Sequence, residues 1–349
     1  MKTPLIFDGH NDVLHKQLKG GAQARTEFRT GNGFHIDMPK ALAGGFGGGF
    51  FAIWVPSVMD GEAMDARMSQ PAYDIPMPEP LEQGFALGVA LKQARMLANL
   101  EADKALTICT STEEIRATME SGTLAAIMHM EGAEAIDTDF DALHVLYRAG
   151  LRSLGPVWSR ATAFGYGVPF RFPSTGDTGP GLTDAGFDLV RECNQLGVML
   201  DLSHLNEAGF WDVVKTSDAP IVASHSNAYA VCPNARNLSD RQLHAIRDTG
   251  GMVGLNYATG FLRPDGQMRP DTGFDVIMRH LDHLIEHAGE DQVGLGSDFD
   301  GAMVPEGIGD AAGLPNLRAA MLAHGYSEGL TKKLCHENWL RMLALTWGE

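Results

Sequence analysis

Short apolar segments recur along this chain of 349 residues, with helical patterns between them. The segments lack the polar alternation of a sheet with one solvated face, which is typical of parallel strands buried on both faces. We predict eight strands, at residues 5–12, 50–56, 125–132, 152–158, 198–204, 220–226, 252–258 and 292–299. Helical patterns include residues 81–103, 140–149, 184–196, 240–249 and 274–287. These alternations predict an α/β fold, a (β/α)8 TIM barrel, as a single domain over residues 1–349.

Three stretches rich in glycine and proline follow predicted strands, at residues 57–80, 159–182 and 301–315. Loops that follow barrel strands lie on the catalytic face, so we expect these long loops to enclose a substrate rather than to serve as plain connections. The glycine-rich run at 44–50 precedes a strand and lacks a Lys-Ser/Thr ending, which excludes a phosphate loop.

Histidine and carboxylate residues, which are common metal ligands, stand at the C-terminal ends of five predicted strands. These residues are His10, Asp12, Glu131, His204, His225 and Asp298. A core histidine or a helix-capping aspartate explains any one of them alone, but not six at one edge. Because the C-terminal ends of barrel strands meet on one face, the sequence predicts a binuclear metal site at the barrel mouth.

The ligands divide between two divalent ions. We expect His10 and Asp12 to hold one ion, His204 and His225 to hold the other, and Glu131 to bridge them. Imidazole and carboxylate ligands suit zinc. Two ions about 3.5–4 Å apart would lower the pKa of a bridging water toward roughly 7 and supply a hydroxide nucleophile.

Asp298 ends the last predicted strand, where it is placed to take a proton from the attacking water and pass it to a leaving amine. The ligands alone do not decide between a peptide bond and another bond, such as a lactam, lactone or phosphoester, because enzymes on this barrel change substrate by changing loops.

Longer stretches resemble the membrane dipeptidase (renal dipeptidase) family of binuclear zinc peptidases. They are distributed over nearly the whole length of the chain and read DGHNDVL, MEGAEAID, GLRSL, GLTDAGFDLVRECNQLGVMLDLSHL, SHSNA followed by ARNLSD, and GSDFDG. The resemblance implies an amidohydrolase-like barrel, two Zn²⁺ on the five ligands above, and Asp298 as the proton shuttle. It also implies that Arg236, in ARNL, binds the free carboxylate of a dipeptide, a task that suits a planar guanidinium.

The chain departs from the family at Trp158, where the family often has a histidine that contacts the substrate carbonyl. Three alternatives stay open: the indole donates to the oxyanion, Arg160 supplies the missing charge if the strand extends that far, or Trp158 only shapes the side-chain pocket. His129, two residues before Glu131, is expected to be a core histidine or a support for the ligands.

We therefore expect a zinc-dependent dipeptidase that acts on small dipeptides. A hydrolase of another bond is the alternative, and a catalytically silent barrel is disfavoured because all five ligands are present.

Charge and composition limit the partners and the location. Lys and Arg number 27 against 44 Asp and Glu, a net charge of −17, which argues against nucleic acid or an anionic membrane as partner.

The chain enters its first predicted strand at once and has no apolar run of membrane-spanning length, so we expect a cytoplasmic protein without a signal peptide. The four scattered cysteines are expected to be reduced. The sequence leaves the oligomeric state open, and a homodimer is compatible with it.

Overall fold

Strands and helices alternate along most of the chain. The computed structural model describes residues 3–31, 33–57 and 61–349. Within these ranges the strands are β1 (Ile6–Asn11), β2 (Phe46–Trp54), β3 (Tyr73–Ile75), β4 (Leu106–Ile108), β5 (Leu124–Glu131), β6 (Leu151–Leu154), β7 (Phe170–Phe172), β8 (Met199–Leu200), β9 (Val222–Ala223), β10 (Met252–Asn256) and β11 (Val293–Gly296).

The helices within the same ranges are α1 (Val13–Thr30), α2 (Met38–Gly44), α3 (Gly61–Met68), α4 (Gln83–Ala102), α5 (Thr112–Ser121), α6 (Asp141–Arg148), α7 (Asp184–Leu196), α8 (Glu207–Thr216), α9 (Asp240–Asp248), α10 (Thr259–Leu262), α11 (Phe274–Ala288), α12 (Leu314–His324), α13 (Glu328–Lys332) and α14 (Asn338–Trp347). A 3₁₀ turn (Ala311–Gly313) precedes α12, and a π-helical turn (Lys333–Glu337) joins α13 to α14.

Eight parallel strands form the barrel wall. In one direction from β1 the neighbours are β2, β5, β6 and β8. In the other direction they are β11, β10 and β9. A parallel bridge between Asp201 and Val222 joins the two ends of this series and closes the barrel. The predicted (β/α)8 barrel is confirmed, and each predicted strand overlaps one of these eight.

Several predicted strand boundaries were wrong. β6 ends at Leu154 and not at residue 158, so Trp158 and Arg160 lie in the following loop. β8 and β9 have only two residues each, because the chain turns away from the ladder before it reaches His204 and His225. β4 was not predicted. It pairs with the first residues of β5, whereas β6 pairs with the later residues of β5 on the same edge.

The glycine-rich run at 44–50 has a packing role. β2 starts inside this run and lies between β1 and β5. Gly48 has φ 150°, and a Cβ there would collide with the backbone of Ala125 on β5. A Cβ at Gly49 would collide with Asp8 on β1. Glycine therefore permits the close approach of three neighbouring strands.

Side chains inside the barrel change from apolar to polar along β5. Ile127, His129 and Glu131 alternate with Met128 and Met130, which pack in the outer core against the helices. Ile127 belongs to an inner apolar cluster with Phe7, Phe50, Met199, Val222, Met252 and Trp339. The lower part of the barrel is thus filled, and polar side chains are confined to its C-terminal mouth.

Two of the predicted long loops meet above that mouth. β3, within 57–80, pairs antiparallel with β7, within 159–182, and Asp74 forms an ion pair of 2.9 Å with Arg171 across them. Residues 58–60 of the first loop lie outside the described residues. We call the β3–β7 pair the lid sheet.

The ends of α7 agree with the prediction because local signals fix both of them. The Thr183 hydroxyl accepts a hydrogen bond from the Gly186 amide at the first turn, and Gly197 ends the helix with φ 68°. In the part of the chain that is described, no helix has both the length and the apolar character needed to cross a membrane.

Candidate active site

The five predicted ligands converge at the barrel mouth, and all are buried. The two carboxylate oxygens of Glu131 face different histidines. Oε2 lies 3.7 Å from Nε2 of His10, whereas Oε1 lies 2.9 Å from Nε2 of His204 and 3.6 Å from Nε2 of His225. Asp12 Oδ2 lies 3.4 Å from His10 Nε2 on the far side. Glu131 is therefore central, with ligands on both sides.

This arrangement fits bound cations. Neither ring nitrogen of His10 has a hydrogen-bond partner among the residues that the structure describes, although both are buried. Burial raises the pKa of Glu131 well above its usual range and lowers the pKa of His204 and of His225 well below theirs. A bound divalent ion would supply the positive charge that keeps Glu131 ionised and the imidazoles neutral, which is the donor set that such an ion needs.

Serine hydroxyls orient two of the histidines. Ser159 Oγ lies 2.9 Å from Nδ1 of His204, and Ser224 Oγ lies 2.7 Å from Nδ1 of His225. Each contact engages the nitrogen that points away from Glu131, which leaves Nε2 for a metal. Asp201 accepts hydrogen bonds from the backbone amides of Ser203 and Ser224, and so supports this arrangement from below.

Sequence reasoning missed these supporting residues. A local signal exists for part of the set, because Ser-His occurs at the ends of two predicted strands, as Ser203-His204 and Ser224-His225. Ser159 reaches His204 only through the tertiary fold, and no local pattern indicates that contact.

His129 lies one layer below the ligands. Its Nδ1 is 2.8 Å from Ser153 Oγ, its Nε2 is 3.6 Å from Asp201 Oδ2, and its ring stands edge-on to His10 at 5.6 Å between centroids. His129 therefore belongs to a polar network beneath the site and is not surrounded by apolar side chains alone.

Asp298 lines the cavity above the ligands. It follows β11 and has φ 59°, an unusual backbone conformation for a residue other than glycine. Asn256 donates a hydrogen bond of 3.0 Å to Oδ2, and carboxylate oxygens of Asp298 and Asp12 lie within 4.8 Å of a ring nitrogen of His10. Burial raises the pKa of Asp298 above its ordinary value.

Arg236 lies directly behind His204 and is 2% exposed. Its Nη2 is 3.2 Å from Nε2 of His204 and 3.4 Å from the carbonyl oxygen of His225. Within residues 3–31, 33–57 and 61–349, its Nε has no hydrogen-bond partner. Burial lowers the pKa of Arg236 to about 10, so the guanidinium stays charged at neutral pH. It is not among the residues that line the cavity.

Trp158 forms an aromatic wall beside the ligands. Its ring centroid lies 5.0 Å from Trp54, 5.6 Å from Phe170 of β7 and 5.8 Å from His204. The wall therefore connects the lid sheet to the predicted metal ligands.

Arg160 is directed away from the cavity. It is completely buried, its Nη2 lies 2.7 Å from Oε1 of Glu134, and the same atom donates to the carbonyl oxygen of Val55 at 2.9 Å. Its charge is neutralised by Glu134, and it is not among the cavity-lining residues. The arrangement gives no support to Arg160 as a contact of the substrate carbonyl.

A cavity of about 210 Å³ opens above the ligands. The predicted long loops contribute to its walls, which are formed by Met64, Asp65, Met68, Phe170, Gly301 and Ala302, among others. This volume favours a ligand of a few residues over a long polymer.

Fold and site together define a class: a metal-dependent hydrolase on a (β/α)8 barrel. The chain belongs to the membrane dipeptidase family, peptidase family M19, whose family model matches residues 1–346. It is therefore a metallopeptidase of the dipeptidase type, and the resemblance inferred from the sequence motifs is confirmed.

Individual relatives agree with this assignment. A protein of Klebsiella pneumoniae, described as an uncharacterized protein in the pqqA 5' region, is 46% identical over 268 residues, which are 76% of this chain and 99% of the relative. A metallo peptidase from Rhodobacter sphaeroides, solved with a phosphinate mimic of the dipeptide L-Ala-D-Ala, is 54% identical, with TM-score 0.97 over 99% of this chain and 100% of that one. A structure described as the dipeptidase AC, a metallo peptidase of the same family, gives the same identity of 54% and TM-score of 0.97 over 100% of both chains.

Proposed function

We propose that this protein hydrolyses the peptide bond of free dipeptides with the help of two zinc ions. The observation that carries the proposal is the position of Glu131, whose two carboxylate oxygens face His10 on one side and His204 and His225 on the other. The dipeptide mimic bound by the relative that is 54% identical supports the substrate class.

The metal ligands have distinct tasks in this proposal. His10 and Asp12 would hold one ion, His204 and His225 would hold the other, and Glu131 would contribute to both. Imidazole and carboxylate ligands suit zinc. When bound, the ions would lower the pKa of the attacking water toward roughly 7 and polarise the substrate carbonyl.

Asp298 moves the proton. Its carboxylate accepts the proton of the attacking water and returns it to the nitrogen of the leaving amine, so that one side chain serves as base and then as acid. The hydrogen bond from Asn256 holds the carboxylate toward the cavity during both steps.

Arg236 binds the free C-terminal carboxylate of the substrate. A buried guanidinium whose Nε meets no acceptor in the described part of the chain is suited to a carboxylate, because desolvation strengthens the charge-assisted hydrogen bond. Trp158 shapes the pocket for a substrate side chain, as its contacts with Trp54 and Phe170 support.

We also propose a cytoplasmic location, a homodimeric state and no nucleic-acid partner. The net charge of −17 supports the last of them.

The proposal is tested with dipeptides and their C-terminal amides. Wild-type protein is assayed on L-Ala-L-Ala, L-Ala-D-Ala and the corresponding amides, beside Arg236→Met. We expect free dipeptides to be cleaved, amides to be poor substrates, and kcat/KM on free dipeptides to fall about 10²–10³-fold in the variant, equivalent to about 3–4 kcal/mol. Metal content should not change.

Arg247→Met is the matched control, because Arg247 is exposed and pairs with Asp248 on α9. If wild-type protein cleaves amides and free dipeptides equally well, the carboxylate-binding role of Arg236 is wrong. If it cleaves neither, the substrate class is wrong.

A further inference from the structure

A second group of metal-binding side chains lies on the outer layer of the barrel, between α9 and α11. Asp240 and His244 are four residues apart on α9, and His283 and His287 are four residues apart on α11. That spacing places both members of each pair on one face of their helix, and the same spacing lets two histidines of a helix bind one zinc ion. None of the four lines the active-site cavity.

The side chains converge on the Asp240 carboxylate. Oδ1 lies 2.7 Å from Nε2 of His283, and Oδ2 lies 4.0 Å from Nε2 of His287. The two imidazole rings are 4.3 Å apart between centroids, and one donor atom from each of the three residues fits within 4.8 Å of the others. At these distances, small rotations of the three side chains would bring one donor atom from each of them to a single ion.

His244 supports the group from its other side. Its Nε2 lies 3.2 Å from Nδ1 of His287, the nitrogen that faces away from Asp240. Such a contact fixes the tautomer and ring orientation of a metal-binding histidine. Ser224 makes the corresponding contact with His225 in the active site.

Solvent access and charge also suit an ion. The side chains of His283 and His287 are 19% and 22% exposed and that of Asp240 is 46% exposed, so an ion can enter without opening the fold. The hydrogen bond from His283, together with the three nearby imidazoles, lowers the pKa of Asp240, so its carboxylate stays ionised.

Ordinary histidine–carboxylate pairs elsewhere on the surface have a simpler form. His324 meets Asp282 at 2.9 Å, and His144 meets Glu192 at 2.7 Å, each with one imidazole on the carboxylate. The group between α9 and α11 differs because two imidazoles face one carboxylate and a third orients one of them.

We propose that Asp240, His283 and His287 form a second metal site that binds Zn²⁺ or a similar divalent transition ion, with His244 orienting His287. Three protein ligands leave a position for water. The ion joins α9 to α11, and α9 starts four residues after Arg236. Its effect is on stability, because an ion that binds only the folded chain shifts the unfolding equilibrium.

The test counts zinc in the holoenzyme. Wild-type protein and the double variant His283→Gln/His287→Gln are equilibrated with excess Zn²⁺, freed of unbound ion and analysed for metal. We expect the double variant to hold one zinc fewer per chain and to keep dipeptidase activity. When free Zn²⁺ is about 100 times the Kd of this second site, the Tm of the holoenzyme should rise by about 5 °C in wild type and should not rise in the double variant.

Asp240→Asn is a second, nearly isosteric variant that should also lose the ion, and His324→Gln is the matched control that should keep it. Equal zinc content and equal response of Tm in wild type, the double variant and Asp240→Asn would overturn the proposal. Loss of zinc in His324→Gln as well would overturn it too, because the extra ion would then be bound diffusely by surface histidines.

Discussion

Glu131 is the residue on which the proposed metal site depends most, since ligands lie on both sides of its carboxylate. We expect Glu131→Gln to lower the occupancy of both active-site ions, because a neutral amide does not balance two dications. His204→Ala should weaken one ion more than the other. Elemental analysis and calorimetric titration with Zn²⁺ measure both effects. Wild-type metal content in Glu131→Gln would falsify the bridging role.

Substitutions at Trp158 and Arg160 test separately whether Trp158 shapes the substrate pocket and whether Arg160 supplies a charge to the substrate carbonyl. Trp158→Phe should change the preferred side chain of the dipeptide and leave kcat within a few-fold, since Trp158 contributes an aromatic wall. Arg160→Met should lower the stability by about 3–5 kcal/mol, because it leaves Glu134 buried without its partner.

Steady-state kinetics on one good dipeptide and thermal unfolding decide between these outcomes. A kcat loss of about 10²–10³-fold in Arg160→Met with an unchanged Tm would instead support a direct contact with the oxyanion. A similar loss confined to Trp158→Phe would support donation by the indole.

At the scale of elements, the lid sheet couples the loops to the segment that carries Arg236. The Tyr73 hydroxyl on β3 donates to the carbonyl oxygen of Gly266 at 3.0 Å and accepts from the Asn234 side chain at 2.9 Å. Oδ1 of Asn234 in turn accepts from the backbone amide of Arg236 at 3.0 Å. The buried Tyr73 hydroxyl is therefore one of the contacts between the lid sheet and the proposed carboxylate-binding segment.

We expect Tyr73→Phe to raise KM for dipeptides about 5- to 30-fold, the equivalent of about 1–2 kcal/mol for polar groups left unpaired, with little change in metal content. Tyr326→Phe is the control, because the Tyr326 hydroxyl binds Asp282 at the surface. The prediction fails if Tyr73→Phe and Tyr326→Phe have the same KM.

At the scale of the whole molecule, metal binding should raise the free energy of unfolding, because the buried ionisable side chains at the barrel mouth favour a bound cation. Each of the two active-site ions stabilises the folded state by about 4 kcal/mol when free Zn²⁺ is about 1,000 times its Kd, so that together they contribute about 8 kcal/mol. We therefore expect a chelator to lower Tm by about 10 °C, with recovery when Zn²⁺ is added back. Differential scanning calorimetry measures this shift. Loss of activity with an unchanged Tm would mean that the ions contribute to chemistry and not to the stability of the barrel.

In that experiment, the double variant His283→Gln/His287→Gln distinguishes the effect of active-site zinc on Tm from the effect of the ion between α9 and α11. Its Tm should still fall when active-site zinc is removed, but by less than in wild type, because the ion between α9 and α11 is already absent.

The sequence by itself determined the barrel and the candidate ligands. Each barrel strand is an apolar run, since both faces are buried, and such runs are visible locally. The ends of α7 were predicted because Thr183 and Gly197 act within one turn of the helix. Residues at strand ends share one face of any parallel barrel, so His10, Glu131 and His225 could be grouped without knowledge of the loops.

Only the tertiary structure decided the contacts between distant segments. The pairing of β3 with β7, the position of Ser159 beside His204, and the burial of Arg160 against Glu134 all join residues whose separation no local pattern encodes. The meeting of Asp240 with His283 and His287 is of the same kind. Periodicity reports which face of an element is buried, whereas packing of the closed barrel selects the partner that each polar side chain meets.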